Sequence, residues 1–390
     1  MKITRRNLLR SGILSITGMA VSPWVRSEGF SERSIVLDQF GRIYHSPLLR
    51  EHFPDQLFQK KPMIHIGYNE NPYGPSPSTC EAIKQAVTDR EGNRYCWNHV
   101  NELAGMIAQK EGVKPEQVLM GPGLSDLLDR TALSLCAGSG NIVSIDPTFM
   151  SIVEVARAGG AAWKPVPCNE DGTTDLEAVR KAIDPQTRLV YICNPSNPIG
   201  TVIDADALRE FCTHTAKNVP VFIDEAYIEF AQGATQSMLP LIHQGHDILI
   251  GRTFSKVMGM AGLRVGYLIG QPSTLNKIQN GGLGICLTTV RGAVAALNDT
   301  DFQKMTVTRN TEVKEYLCQQ LTSLGYRYIP SSTNFVLFPI RSDGKHFVNK
   351  MNEKGIFVRA FDIKNRAWCR VSIGTGDEIQ QFVTALKSLS

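Results

Sequence analysis

The sequence contains no C-x-x-C pair, no block of like charge, no internal repeat and no low-complexity tract. Its nine cysteines, Cys80, Cys96, Cys136, Cys168, Cys193, Cys212, Cys286, Cys318 and Cys369, are scattered and odd in number, which excludes a framework that pairs every cysteine within the chain. Such usage fits folding in a reducing compartment. A net charge of +4 over 390 residues, with the signs mixed, excludes the basic footprint of a nucleic-acid surface. His243 and His246 stand three apart in "HQGH" without a ligand-rich cluster beside them, so no metal site is expected. The apolar run that follows Arg5 and Arg6 is broken by Ser11, Gly12, Ser15, Thr17 and Gly18 and is too short and polar to span a bilayer.

What is present is ample apolar residue, 42% of the chain, at a length of two to three domain units of about 150 residues each. Beyond residue 75, helical and strand-like segments alternate. "SPSTCEAIKQAVTDR" sets Ser78 and Glu81 at capping-box spacing ahead of Ala82, Ile83, Ala86 and Val87 on one helical face. Six short apolar runs follow: "QVLM", "NIVSI", "LVYIC", "VPVFI", "DILIG" and "VGYLIG". Runs of this kind without polar alternation suit strands covered on both faces, hence an α/β fold with a mainly parallel sheet. Past about residue 290 the texture changes to "TNFVLFPI", "GIFVRAF" and "CRVSIG" between helical stretches, which reads as a smaller α+β domain. The expected divisions are a signal-like segment over 1–24, an N-terminal arm over 25–75, a large domain over 76–290 and a small domain over 291–390.

Three stretches carry chemistry. "LMGPGLSDLLDR" places Gly121 and Gly123 between a strand and a helix, where backbone N–H groups can bind phosphate. The third glycine of a dinucleotide fingerprint is missing and Asp126 stands in its place; a plain tight turn is the alternative reading. "GRTFSKVMGMAGLRVGY" joins Thr253, Ser255, Lys256 and Arg264. A lysine in such apolar surroundings is pushed toward its nucleophilic free amine by desolvation, although a solvated Ser-Lys loop would look the same. "FIDEAYIEF" ends an apolar strand in Asp224, and a carboxylate there requires a cationic or hydrogen-bonding partner.

Together with "NENPYGPSP", "NRY", "DPTF", "NPSNPIGT", "DEAY" and "RVSIGT", in this order from Asn69 to the C-terminus, these stretches resemble the class I/II pyridoxal-phosphate aminotransferases, and most closely the histidinol-phosphate aminotransferase group. The resemblance implies the type I fold of aspartate aminotransferase, with a seven-stranded, mainly parallel sheet in the cofactor-binding domain. It implies pyridoxal 5'-phosphate as cofactor and Lys256 as the lysine that carries it and moves the substrate proton. It makes Asp224 the partner of the pyridine nitrogen. It places Tyr227 and Asn197 on the ring's 3-oxygen, and Phe149, where a tyrosine is frequent, on the ring face. Arg264, Thr253, Ser255 and the amides of Gly123, Leu124 and Ser125 would hold the phosphate, with Tyr95 reaching it from the second subunit of a homodimer. Arg370 would take the substrate carboxylate, while Arg359 and Tyr73 would serve the substrate's far end.

The implied reaction exchanges an amino group between an amino acid, histidinol phosphate-like, aromatic or imidazole-bearing, and a 2-oxo acid such as 2-oxoglutarate. Decarboxylases of the same fold, or a silent cofactor binder, are the alternatives. Thr4-Arg5-Arg6 with Leu8-Leu9 and Arg10 looks like a twin-arginine export signal, so a periplasmic or exported location is expected, with the cytoplasm as the alternative.

Overall fold

In a computed structural model describing residues 36–37, 43–44, 48–54, 64–278 and 284–389, the six apolar runs all become strands of one large sheet. The chain divides into the units Met1–Ile43 and Tyr44–Ser390. The twin-arginine segment lies outside the described residues. Two-residue strands β1 (Val36–Leu37) and β2 (Ile43–Tyr44) come first.

The large sheet comprises β5 (Val118–Gly121), β6 (Asn141–Asp146), β7 (Ala162–Pro167), β8 (Thr187–Cys193), β9 (Val221–Asp224), β10 (Ile248–Thr253) and β11 (Gly266–Ile269), in the order β5-β11-β10-β9-β8-β6-β7. Strand β11 runs antiparallel to both its neighbours, and the other pairings are parallel. Every residue of β6, β9 and β11 is buried, as strands covered on both faces require. The seventh strand, β7, reads differently: only Val166 is buried, and Pro165 and Pro167 confine it to the sheet's edge. Helices Leu124–Cys136, Ser151–Ala158, Leu176–Ala182 and Ala205–Thr215 supply crossovers.

The helix expected to start at Ser78 spans Pro77–Thr88, and its cap is Ser76, whose hydroxyl accepts from the Thr79 N–H. Pro77 explains the shift, because a proline costs nothing at the first helical position, where the missing N–H has no partner anyway.

A second sheet combines β3 (Leu49–His52), from the stretch expected to be an arm, with β12 (Phe335–Pro339), β14 (Arg359–Ile363) and β15 (Arg366–Ser372) in the antiparallel order β12-β15-β14-β3. Its faces differ, as period-2 alternation allows. Val336, Phe338, Ala360, Cys369 and Val371 join a core with Leu317, Leu321, Phe382 and Leu386 of helices Thr300–Ser323 and Gly376–Lys387. Leu337, Phe361 and Ile363 join Leu49, Ile199 and Ile329 on the opposite face. That face also carries Glu51, Arg359 and Arg370, which register with Phe361 and with each other across the strands. A small ribbon pairs β4 (Ile64–His65) with β13 (Ile356–Phe357). Both sheets lie within Tyr44–Ser390.

Candidate active site

Open α/β sheets gather ligands outside the carboxyl ends of their strands, and this sheet does so at the ends of β8, β9 and β10. Cys193, Asp224 and Gly251 stand side by side in register there. A cavity at this edge is lined by Leu124, Ser125, Phe149, Asn197, Asp224, Tyr227, Thr253, Ser255, Lys256 and Arg264. Ten of the residues singled out in the sequence, drawn from positions 124 to 264, thus face one space.

One end of the cavity is built for an anion. The helix Leu124–Cys136 begins after Gly123, which offers no side chain to cap it, so the first-turn amides point outward as donors. Gly123 has φ +91°, and a Cβ there would collide with the guanidinium of Arg264. Its own amide is spent, donating to the Gly121 carbonyl at 2.8 Å. In this arrangement Gly123 contributes by its missing side chain, and the amides of Leu124 and Ser125 are the ones left without such a bond to the preceding turn. Thr253 and Ser255 share a hydrogen bond of 2.9 Å between their hydroxyls, and Arg264 completes the set. Asp126, the acid that spoils the dinucleotide fingerprint, is ion-paired with Arg130 at 3.0 Å.

The other end is built for a cation. Asp224 is 3% exposed; its Oδ2 accepts from the Tyr191 hydroxyl at 2.8 Å and its Oδ1 from the Ala226 N–H at 3.0 Å. Burial nevertheless pushes its carboxyl up to about 6, against the pull of those hydrogen bonds and of Lys256. The adjacent acid, one residue beyond the end of β9, points away. Glu225 accepts from Arg252 at 2.9 Å, and Arg252 also holds Glu111 at 2.8 Å. Of the two neighbouring acids, one is committed to the fold and one is left for the cavity.

Lys256 lies between the ends. Its Nζ donates to the Asn69 carbonyl at 3.0 Å and stands 5.4 Å from the centre of the Tyr227 ring. Burial first, then the charge of Arg370, lowers its pKa to about 8. The loop that carries it is pinned: Asn71 donates to the Val257 carbonyl at 2.9 Å, and at Gly259, φ +70°, a Cβ would strike the Gly74 carbonyl.

Two residues that no sequence signal marked hold this arrangement. Tyr191 hides in the apolar run "LVYIC", where one hydroxyl is its only trace. Asn69 stands in the recognised "NENPYGP" but with no role attached. Its Nδ2 donates to the Tyr227 hydroxyl at 3.0 Å, its N–H donates to Ser372 Oγ at 2.8 Å, and its carbonyl accepts from Lys256 and from Asn334 at 3.0 Å each. Asn197 donates to the same Tyr227 hydroxyl at 3.5 Å and accepts from Arg370 at 2.6 Å. Arg370 thereby joins the cavity through Asn197.

Five expected residues do not line the cavity: Gly123 and Arg370, described above, and Tyr95, Tyr73 and Arg359. Tyr95 is 84% exposed. Tyr73 lies under the charges of Arg309, Glu312 and Glu378, with burial raising its phenol. Arg359 is ion-paired with Glu51. The donors that are present fit a group with a phosphate at one end, a protonated ring nitrogen at the other and an aldehyde within reach of Lys256.

Comparison with known proteins points the same way. The family described as aminotransferase class I and II matches residues 61–386. A histidinol-phosphate aminotransferase of Moorella thermoacetica is 35% identical over 340 residues, 84% of this chain and 86% of that protein. One from Akkermansia muciniphila is 33% identical over 84% of this chain and 90% of its own length. The crystal structure of histidinol-phosphate aminotransferase from Sinorhizobium meliloti in complex with pyridoxal-5'-phosphate superposes with a TM-score of 0.77 at 27% identity, covering 84% of this chain and 92% of that one.

Proposed function

The chain belongs to the class I and II aminotransferases, and from that premise we propose a substrate range: a histidinol phosphate-like, aromatic or imidazole-bearing amino donor and a 2-oxo acid acceptor, 2-oxoglutarate. The protein is a pyridoxal-phosphate-dependent transaminase. The observation that carries the reading is a half-buried lysine and a buried aspartate in one cavity with an anion cradle. When bound, pyridoxal phosphate supplies the aldehyde that takes the amino group and a ring that withdraws electrons from the substrate Cα.

The remaining work falls to the chain. Lys256 would hold the cofactor through its aldehyde and would carry the proton to and from the substrate Cα. Asp224 would supply the negative charge that keeps a ring nitrogen protonated, and Tyr191 and the Ala226 N–H hold its carboxylate in place. Tyr227 and Asn197 would hydrogen-bond the ring oxygen, Phe149 would cover the ring face, and Arg264 with Thr253, Ser255 and the Leu124 and Ser125 amides would hold the phosphate. Arg370 takes the substrate carboxylate and Arg359 stands at the far end. The two arginines are direct cross-strand neighbours, a spacing that suits the two carboxylates of 2-oxoglutarate. Exposed Tyr95 and Trp97 support a homodimer in which Tyr95 completes the partner's cavity.

An absorbance titration with single amino acids tests the reading. Conversion of the cofactor band by particular donors is expected, and a band that no donor converts would overturn it. Borohydride reduction should fix the cofactor to the peptide that carries Lys256. The signal-like start supports export, and changing Arg5 and Arg6 to lysine should then retain the protein in the cytoplasm.

A further inference from the structure

One buried charge pair in the small sheet has no part in binding the cofactor. Arg359 and Arg370 leave the same face of β14 and β15 as direct neighbours, and like charges so placed repel. Their guanidinium carbons lie 5.3 and 5.5 Å from the ring of Phe361. Arg370 is met by neutral acceptors, the Asn197 side-chain oxygen and the Gly67 carbonyl at 2.8 Å. Arg359 is met by a full negative charge, because its Nε donates to Glu51 Oε1.

Glu51 sits in β3 opposite Phe361, and its side chain is 1% exposed against 14% for Arg359. A carboxylate at that depth is held by its cation. Its second oxygen, Oε2, receives no hydrogen bond among the described residues. Rings of Phe53 and Tyr68 stand 5.7 and 5.9 Å from the Arg359 guanidinium, and Tyr68 also lines the cofactor cavity. The surroundings of the pair are aromatic on the side that meets the cavity.

We propose that Glu51 is a specificity-determining residue: an internal counter-ion that competes for Arg359 with any anion at the far end of a substrate. Within the range proposed above, the enzyme then favours donors whose side chains end in an uncharged ring over those ending in carboxylate. The inference rests on the transaminase reading and on Arg359 standing at the far end of the substrate. A distal anion must take Arg359 from Glu51 and leave a buried carboxylate without its cation, and that loss subtracts from the anion's binding. An uncharged ring leaves the pair intact and packs against Phe53 and Tyr68. The same competition weakens 2-oxoglutarate as acceptor.

The test compares the cofactor-loaded full chain with its Glu51→Gln variant on phenylalanine and histidine, and on glutamate and aspartate, with kcat and KM read separately. Wild-type kcat/KM is expected to favour the ring donors. In the variant, KM for the two anionic donors should fall about tenfold or more, and KM for the ring donors should move by less than about threefold. A wild type that prefers the anionic donors, or a variant that shifts both classes by one factor, overturns the proposal.

Glu51→Asp, which keeps the charge, should keep the wild-type preference. Should Glu51→Gln fail to fold, calorimetric binding of two unreactive ligands to the wild type decides: 3-phenylpropanoate is expected to bind more tightly than maleate, and the reverse order refutes the role of Glu51. If no donor converts the cofactor band, the transaminase reading fails instead, and the two-ligand comparison still tests Glu51.

Discussion

In the large sheet the reactive groups sit where strands stop: Asp224 closes β9, and Lys256 follows the end of β10 by three residues. In the small sheet the charged groups sit inside strands, with Glu51 in β3, Arg359 in β14 and Arg370 in β15. Asp224, at a strand end, is aimed by the backbone just beyond it, the Ala226 N–H, together with Tyr191 of the adjacent strand. A group on a strand face is aimed by side chains from other strands, as Glu51 aims Arg359 across 308 residues of sequence. The first arrangement fixes what the site does. The second can be retuned by one distant residue, which suits the choice of substrate.

If this division holds, large-sheet substitutions should lower turnover for every donor alike, and small-sheet ones should change which donors are used. The largest effect is expected for Lys256→Ala, a kcat loss on the order of 10⁴-fold for all donors with their ranking unchanged. A changed ranking would break the comparison.

Asp224→Asn should lower kcat for every donor on the order of 10²-fold or more while making the cofactor-free protein more stable at pH 7. The sign follows from burial, which raises the carboxyl from 3.8 to about 6 in the folded protein. Across that interval the folded chain holds a proton that the unfolded chain has released, so stability falls as pH rises, and asparagine removes the loss. Thermal melts should show the gain at pH 7 and not at pH 3.5.

Arg370→Lys should raise KM for all carboxylate-bearing substrates by on the order of tenfold, because lysine cannot form the planar two-pronged contact. Arg359→Lys should affect only substrates with a distal anion. Equal effects from both would erase the distinction between a shared and a selective arginine.

The smallest effect crosses between the sheets. Uptake of pyridoxal phosphate by the cofactor-free protein requires the neutral amine of Lys256 and should rise through about pH 8, then level. Replacing Arg370 with methionine removes a cation that lowers this pKa, so the midpoint should move to higher pH. A stationary midpoint would mean that the small sheet exerts no charge effect on the lysine.

How much of this was legible in the sequence follows the same division. Six of the strands announce themselves as apolar runs, but β7 does not, since an exposed edge strand with two prolines lacks the pattern. Nothing in the "VGYLIG" run tells that β11 runs against its neighbours, because covered parallel and antiparallel strands are equally apolar. β3 stays hidden for another reason: His52 pairs with Ala360, and no local periodicity reports so distant a partner. At the site, Asp224 and Lys256 stand out because charge in an apolar context is conspicuous. Tyr191 and Glu51 do not, since their roles depend on neighbours that only the fold brings together.

Asn69 gives the site a schedule as well as a geometry. It hydrogen-bonds Tyr227, Lys256, Asn334 and Ser372, so the surroundings of the lysine are finished only after residue 372 has been synthesised. A nascent chain on the ribosome has the lysine and the aspartate long before it has the brace that positions them. The lysine is thus fully braced only once the chain has passed residue 372, although the groups of the anion cradle come well before it.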